Sequence, residues 1–301
     1  MDFKQIEAYV KVIELTSFSK AAEAIFLSQP SVSTYINALE KELGTTLINR
    51  STKEVAPTLA GKIFYGQAKE LLALKSNTVE QIKNLSGNFS GEINILASSV
   101  PGQYILPAVI ARFNAIYPQI SFSVRQADTL EVARGVAGQQ AEIGFCGGLV
   151  EDDKCDFYDF ITEQMVLIAP PDGGFSATVE YSLEELMATQ RFISRAKGSG
   201  TRDQYESYFT KQNVQPAAVN AAISFDNTQS IINAVINGLG VSIVSEFAAR
   251  TYIENQMVLP LKIKTKLPQR KFYYVLKKNF LRSHLIDLLI EFLVSEYSVR
   301  T

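Results

Sequence analysis

Apolar positions at three- and four-residue steps open the chain. Phe3, Ile6, Tyr9, Val10 and Ile13 form one helical stripe. Ser17-Phe18-Ser19 interrupts it, and Ser19 reads as the N-cap of a short second helix whose inward face is Ala21, Ala22 and Ile25. Small alanines there allow two helices to approach closely. Pro30 stands where a first helical turn accepts it; Val32, Ile36, Leu39 and Leu43 make a third helix, and Gly44 closes it. Thr45 to Val55 reads as two short strands around a polar tip, in effect a wing. Thr58 then caps a long helix running to about Leu85, on which Leu71, Leu74, Thr78, Ile82 and Leu85 recur about every 3.5 residues. A stripe of that period suits a helix–helix seam between two copies of the chain. Gly87-Asn88-Phe89-Ser90-Gly91 reads as a short hinge.

From Glu92 the pattern changes to alternating strands and helices. Strands are predicted at Ile93–Ala97, Ser121–Arg125, Glu142–Cys146, Met165–Ala169, Arg191–Ser194, Ala221–Phe225, Val241–Val244 and Lys271–Leu276. Helices are predicted near Ile105–Ile116, Leu130–Ala137, Leu183–Met187, Thr201–Gln212, Thr228–Ile236 and Leu285–Tyr297. Strands separated by helices imply parallel sheets with crossovers. About 210 residues is generous for one open sheet, so two α/β lobes sharing a ligand cleft are expected.

Composition narrows the function classes. Apolar residues make up 47% of the 301 positions, which is ordinary for a chain that buries proper cores. Two cysteines, Cys146 and Cys155, make no disulfide framework and point to a reducing cytoplasm. The first residues do not read as a signal peptide, and no apolar run is long enough to span a membrane. The single histidine, His284, rules out a multi-histidine zinc site and argues against a serine–histidine triad. No nucleophile–base pair or metal cluster points to an enzyme, and no cofactor is implied. The net charge is −2, and the ten basic and nine acidic residues up to Leu85 leave that part at +1. That is weak electrostatic support for nucleic acid.

The first 44 residues nevertheless read as helix, helix, turn, helix, with the third helix suited to a major groove. Ser28, Gln29, Pro30, Ser31, Ser33, Thr34 and Asn37 lie on its entry and outer face. Gln29 suits an adenine edge, and the short hydroxyl residues let the backbone approach phosphates. Arg50 and Lys53 on the wing are suited to phosphate contacts. Read together, Phe18-Ser19-x-Ala21-Ala22, Leu27-Ser28-Gln29-Pro30-Ser31-Val32-Ser33-x-x-Ile36-x-x-Leu39-Glu40-x-x-Leu43-Gly44-x-x-Leu47-x-x-Arg50 and Thr58-x-Ala60-Gly61 resemble the N-terminal domain of LysR-type transcriptional regulators. Ser199-Gly200-Thr201-Arg202 and Gly238-Leu239-Gly240-Val241-Ser242 also echo that family.

The resemblance implies an α/β protein with a winged helix-turn-helix at 1–58 and a linker helix with hinge at 59–91. A two-lobed effector domain like periplasmic binding proteins would follow at 92–301, with lobe I at 92–161 and 268–301 and lobe II at 162–267. It implies a dimer on a pseudo-palindromic double-stranded operator, and a tetramer through the effector domains. Three positions depart from the family pattern: Thr34 replaces a frequent basic residue, Ile48 a phenylalanine and Pro57 a leucine. The first removes a phosphate or base contact.

For the effector, Ser98 and Ser99 follow a strand and open a helix, with Gln103 one turn on; Ser199, as cap, and Thr201 open another. Two helix N-termini facing one cleft would clamp a small anion. Thr129, Asn227 and Thr228 stand at further strand-to-helix joints, Arg195 near a strand end, and Cys146 at the end of an apolar strand. Gln103 with the two serines is similar to members that sense sulfur oxyanions. Two alternatives stay open: a solute-binding protein of the same fold, and redox sensing through Cys146 and Cys155.

Overall fold

The computed structural model describes residues 1–49, 55–84, 89–212 and 223–297. The chain divides into two compact units, Met1–Asn88 with Phe280–His284, and Phe89–Asn279 with Leu285–Thr301.

In the first unit, α1 (Phe3–Leu15), α2 (Phe18–Ala24) and α3 (Gln29–Leu43) bury Ile6, Tyr9, Val12, Ala21, Ala22, Val32, Ile36 and Leu39 in one core. Asp2 and Gln5 form a capping box on α1. The cap of α2 is Ser17 rather than the expected Ser19: Ser17 is extended and accepts from the Lys20 amide, so the helix starts two residues earlier and takes Ser19 into its first turn. Gly44 closes α3 in the left-handed region at φ 65°. The wing strands β1 (Ile48–Asn49) and β2 (Ala56–Pro57) pair antiparallel. Thr58 caps α4 (Leu59–Asn84) through the Gly61 amide, 3.0 Å away. On α4, Leu71 packs on the unit's own core, whereas Leu74 and Ile82 of the expected seam are exposed.

The second unit is built on an eight-stranded mixed sheet and a two-stranded parallel one, where parallel sheets were expected. β3 (Gly91–Ala97) pairs parallel with β4 (Ile120–Gln126) and β5 (Ile143–Cys146). β12 (Gln269–Lys277) then inserts antiparallel between β5 and the 15-residue β6 (Cys155–Ala169). β6 runs on past β12, and its far end pairs antiparallel with β10 (Ser242–Ser245) and β11 (Leu259–Ile263). β11 meets β7 (Glu180–Tyr181), while β8 (Ile193–Arg195) and β9 (Ile223–Phe225) pair parallel. β5 leads to β6 and β11 leads to β12 with no helix between them, so β6 and β12 are the two strands that carry the chain from one lobe to the other.

Lobe I packs α5 (Leu106–Ile116), α6 (Thr129–Ala137) and α11 (His284–Tyr297) around Phe113, Phe145, Phe272 and Leu289. A π turn, Pro101–Ile105, leads into α5. Lobe II packs α7 (Leu183–Thr189), α8 (Gly200–Lys211), α9 (Thr228–Ile236) and α10 (Glu246–Glu254) around Leu167, Phe192, Phe209, Ile231 and Ile243. Helix α10 escapes the hydrophobic pattern because Ser245 both ends β10 and caps α10, leaving no loop between them.

Candidate functional site

The polar face of α3 is a coupled set. Ser28 is the N-cap; its hydroxyl accepts from the Ser31 amide at 3.3 Å and shares a 2.7 Å hydrogen bond with the Ser31 hydroxyl. Gln29 donates to the Ser33 hydroxyl at 3.2 Å, which holds the amide side chain along the helix. Ser28, Gln29, Pro30, Thr34 and Asn37 are exposed, and Ser31 and Ser33 are half-buried. The Thr34 hydroxyl donates back to the Pro30 carbonyl at 2.9 Å. Glu40, from the same helix, accepts from the Leu47 and Ile48 amides at 2.7 and 3.1 Å, tying the wing to α3. Arg50 and Lys53 lie outside the described residues. Periodicity missed Phe26, which stands in the turn before α3 at φ 55° and 95% exposed.

In the second unit a cleft of about 270 Å³ opens between the lobes. Ser98, Ser99, Thr129, Arg195, Ser199 and Thr201, all expected from sequence, line it together. After β3, the Ser98 amide donates to the Phe145 carbonyl at 2.8 Å and the next helix starts at Ser99. Opposite, α8 starts at Gly200. A Cβ there would lie 3.0 Å from the Gly147 carbonyl oxygen, so the backbones of the two lobes nearly touch at the cleft floor. Ser199 is the N-cap of α8 by position, yet its side chain makes no capping hydrogen bond and so differs from the expected cap. The residue lines the cleft.

Two buried guanidinium groups lie beneath these helix starts. Arg195 is 6% exposed and donates to Thr228 Oγ1 at 2.9 Å, the Asp226 carbonyl at 2.8 Å and Ser99 Oγ at 3.4 Å. All three acceptors are neutral, and Nε has no partner among the described residues. Burial lowers the Arg195 guanidinium from its ordinary value and the charge of Arg270 adds to this, although an arginine stays protonated throughout. The Tyr205 hydroxyl, bonded to Ser194 Oγ at 2.7 Å, accepts from the Arg195 amide at 3.1 Å and fixes the strand end. Arg270 does have a counter-charge: its Nε lies 2.6 Å from Glu163 Oε1, and Nη1 donates to Thr201 Oγ1 at 2.7 Å.

Four expected residues do not line the cleft. Gln103 is exposed and donates to Gln126 at 2.8 Å, because the π turn carries it outward. Cys146 lies wholly buried behind Gly147 and donates to the Gly148 carbonyl. Burial pushes its thiol up to about 12 and that of Cys155 up to about 11. Asn227 caps α9 through the Ser230 amide. Thr228 is buried and reaches the cleft only through Arg195. Conversely, Gln126, Asp128, Glu131, Asp226 and Arg270 line the cleft without having been expected. For Arg270 no local signal exists: its partner Glu163 stands across a strand pair in the sheet.

Residues 3–62 match the bacterial regulatory helix-turn-helix protein family of lysR type, and residues 86–298 match the LysR substrate binding domain. The HTH-type transcriptional regulator CysL of Bacillus subtilis is 31% identical over 275 residues, covering 91% of each chain. A full-length OxyR variant from Pseudomonas aeruginosa has a TM-score of 0.75 at 20% identity, covering 98% of this chain and 95% of that one. The Synechocystis CcmR regulatory domain, solved in complex with 2-PG, has a TM-score of 0.63 at 18% identity, covering 70% of this chain and 99% of that one. With both the reading head and the two-lobed ligand domain matched, the chain belongs to the LysR family of transcriptional regulators.

Proposed function

We propose that this regulator reads double-stranded DNA as a homodimer, or a pair of dimers, and responds in the cytoplasm to a small anionic effector held between its lobes. The observation that carries the effector reading is Arg195: a buried cation whose hydrogen bonds all go to neutral acceptors, with Nε unpartnered, beside two helix starts. A buried charge with no ion-pair partner among the described residues is costly even with the Asp226 carboxylate favouring its charged form, and an anion there lowers the cost while accepting from the free N–H groups of Ser99 and Gly200–Thr201. Ser98, Ser99, Thr129, Ser199 and Thr201 supply further donors. The 2-PG complex of the CcmR regulatory domain supports a ligand in a domain of this shape.

Residues from both lobes meet the ligand, so binding favours the closed arrangement, and only such a preference can shift an equilibrium. On the DNA side, Gln29 and Ser33 read bases while the Ser28, Ser31 and Thr34 hydroxyls and the wing cations Arg50 and Lys53 hold phosphates. Leu74 and Ile82, exposed on α4, form the dimer seam. The protein acts as a regulator without catalysis of its own, in keeping with its curated relative. Its thiols are buried and held protonated, which disfavours redox sensing.

The test is a footprint of the full chain on the DNA upstream of its own gene, with and without the small molecules retained on native purification. Two protected half-sites whose spacing or intensity changes with ligand are expected. A footprint insensitive to every retained molecule would overturn the effector reading, and absence of any footprint the DNA reading.

A further inference from the structure

The cleft is charged in two layers of opposite sign. Its floor is cationic: Arg195 and Arg270 are buried, with one carboxylate, Glu163, behind them. Its mouth is acidic. Asp128 and Glu131 from lobe I and Asp226 from lobe II all line the cleft and are exposed. Their protein hydrogen bonds use one oxygen each. Asp128 Oδ1 accepts from the Glu131 amide at 2.7 Å, Glu131 Oε2 from the Asp128 amide at 3.2 Å and Asp226 Oδ1 from Asn227 at 2.9 Å. None of the three forms an ion pair with a described residue.

Three carboxylates around the mouth repel a bare anion on its way to the floor, and repel a dianion more. A ligand that carries its own cation removes that repulsion and uses the second oxygens. The volume, about 270 Å³, is below the range of drug-sized pockets and suits a molecule of a few heavy atoms. We infer that the effector is a free amino acid, bound with its carboxylate inward on Arg195, Ser99 and Thr201 and its ammonium outward between Asp128, Glu131 and Asp226. This rests on the reading of Arg195 as the anion receptor and adds the cationic half of the ligand. It also gives a closing force, since one ammonium bridges carboxylates from both lobes.

The test uses the full chain, first in a thermal-shift screen and then by calorimetry. The probes are the proteinogenic L-amino acids, the N-acetyl and deaminated counterparts of each hit, and sulfate, phosphate and acetate. At least one amino acid is expected to bind, with its N-acetyl and deaminated counterparts about tenfold weaker or worse. In D128N/D226N that ratio is expected to fall to near one; asparagine still caps α6, so the variant keeps its helix start. Equal affinity with and without the amine, or a ratio unchanged in the variant, overturns the inference. If no amino acid binds but sulfate, phosphate or acetate does, the inference fails and the anion reading stands. If nothing binds, both fail.

Discussion

Arg270→Ala is expected to destabilise the effector unit by about 4 kcal/mol. The Glu163–Arg270 pair has 1% exposure on both side chains, so the variant strands a carboxylate in the interior with only the Ser245 hydroxyl at 2.6 Å and the Phe247 amide at 3.3 Å as donors. Breaking a buried pair from one side costs about 3–5 kcal/mol. Two smaller losses fall inside that range: the donor to Thr201 is worth about 1 kcal/mol, and the guanidinium packs 4.3 Å from the centre of the Phe272 ring. Removing both charges behaves differently. Glu163→Gln with Arg270→Met leaves no ion behind and is expected to lie within about 1 kcal/mol of the native protein. A double-mutant cycle of Glu163→Gln and Arg270→Met therefore reads a coupling of about 3 kcal/mol or more, since each single change strands one ion and the double change strands none. Urea unfolding followed by circular dichroism gives the free energies, and hydrogen exchange of peptides spanning β6 and β12 localises the loss. A single-variant cost below about 1 kcal/mol, or additive effects around the cycle, would refute the reasoning that the two ions exist to neutralise each other.

Gly61→Ala is expected to destabilise the DNA-reading unit by about 2 kcal/mol or more, because a Cβ would lie 2.1 Å from the Leu47 carbonyl and 2.8 Å from the Tyr9 hydroxyl, both held by surrounding core; the thermal midpoint of that unit checks it. In the folded chain Cys146 is expected to react with iodoacetamide at pH 8 about a thousandfold more slowly than after unfolding, since its thiol is raised from 9.0 to about 12. The same shift has a stability sign: the contribution of protonated Cys146 is complete below the unfolded value of 9.0 and declines as pH climbs toward about 12. Gln29→Ala is expected to relax base preference at one operator position by about 1–3 kcal/mol while leaving the salt slope unchanged, read by titration of operator variants. Leu74→Glu with Ile82→Glu is expected to yield monomers in light scattering; a full-size oligomer would remove α4 from the interface.

Local signals carried the N-terminal unit well. Ser28, Gly44 and Thr58 punctuate its helices through their own side chains or backbone, so each boundary is written beside the residue that makes it. The Ser17 cap shows the limit, since Ser17 and Ser19 offer the same hydroxyl and only the extended backbone of Ser17 decides between them. In the effector unit the helix starts at Ser99 and Gly200 were legible from the serine and glycine steps that follow each strand, although Ser199 makes no capping hydrogen bond. The long β6 was half legible: its far end, Met165–Ala169, is an apolar run, whereas its near half interleaves Asp156 and Asp159 with Phe157 and Phe160. Arg270, Glu163 and the acidic mouth were not legible, because each becomes part of the cleft only through strand pairing or lobe packing distant in sequence. Gln103 misled because its spacing from Ser99 implies a helix facing the cleft, and the π turn rotates that face away.

The central claim is that Arg195 is the receptor for a negatively charged ligand group. Calorimetric titration of the full chain and of Arg195→Met tests it, with amino acids, small carboxylates, sulfate, thiosulfate, selenite and phosphate as probes and circular dichroism confirming equal folding. Each hydrogen bond to a charged ligand contributes about 1.5–3 kcal/mol, so a probe that binds the native chain should bind the variant about ten- to a hundredfold more weakly. A probe that displaces no affinity between the two proteins, bound equally well without the guanidinium, would contradict the account.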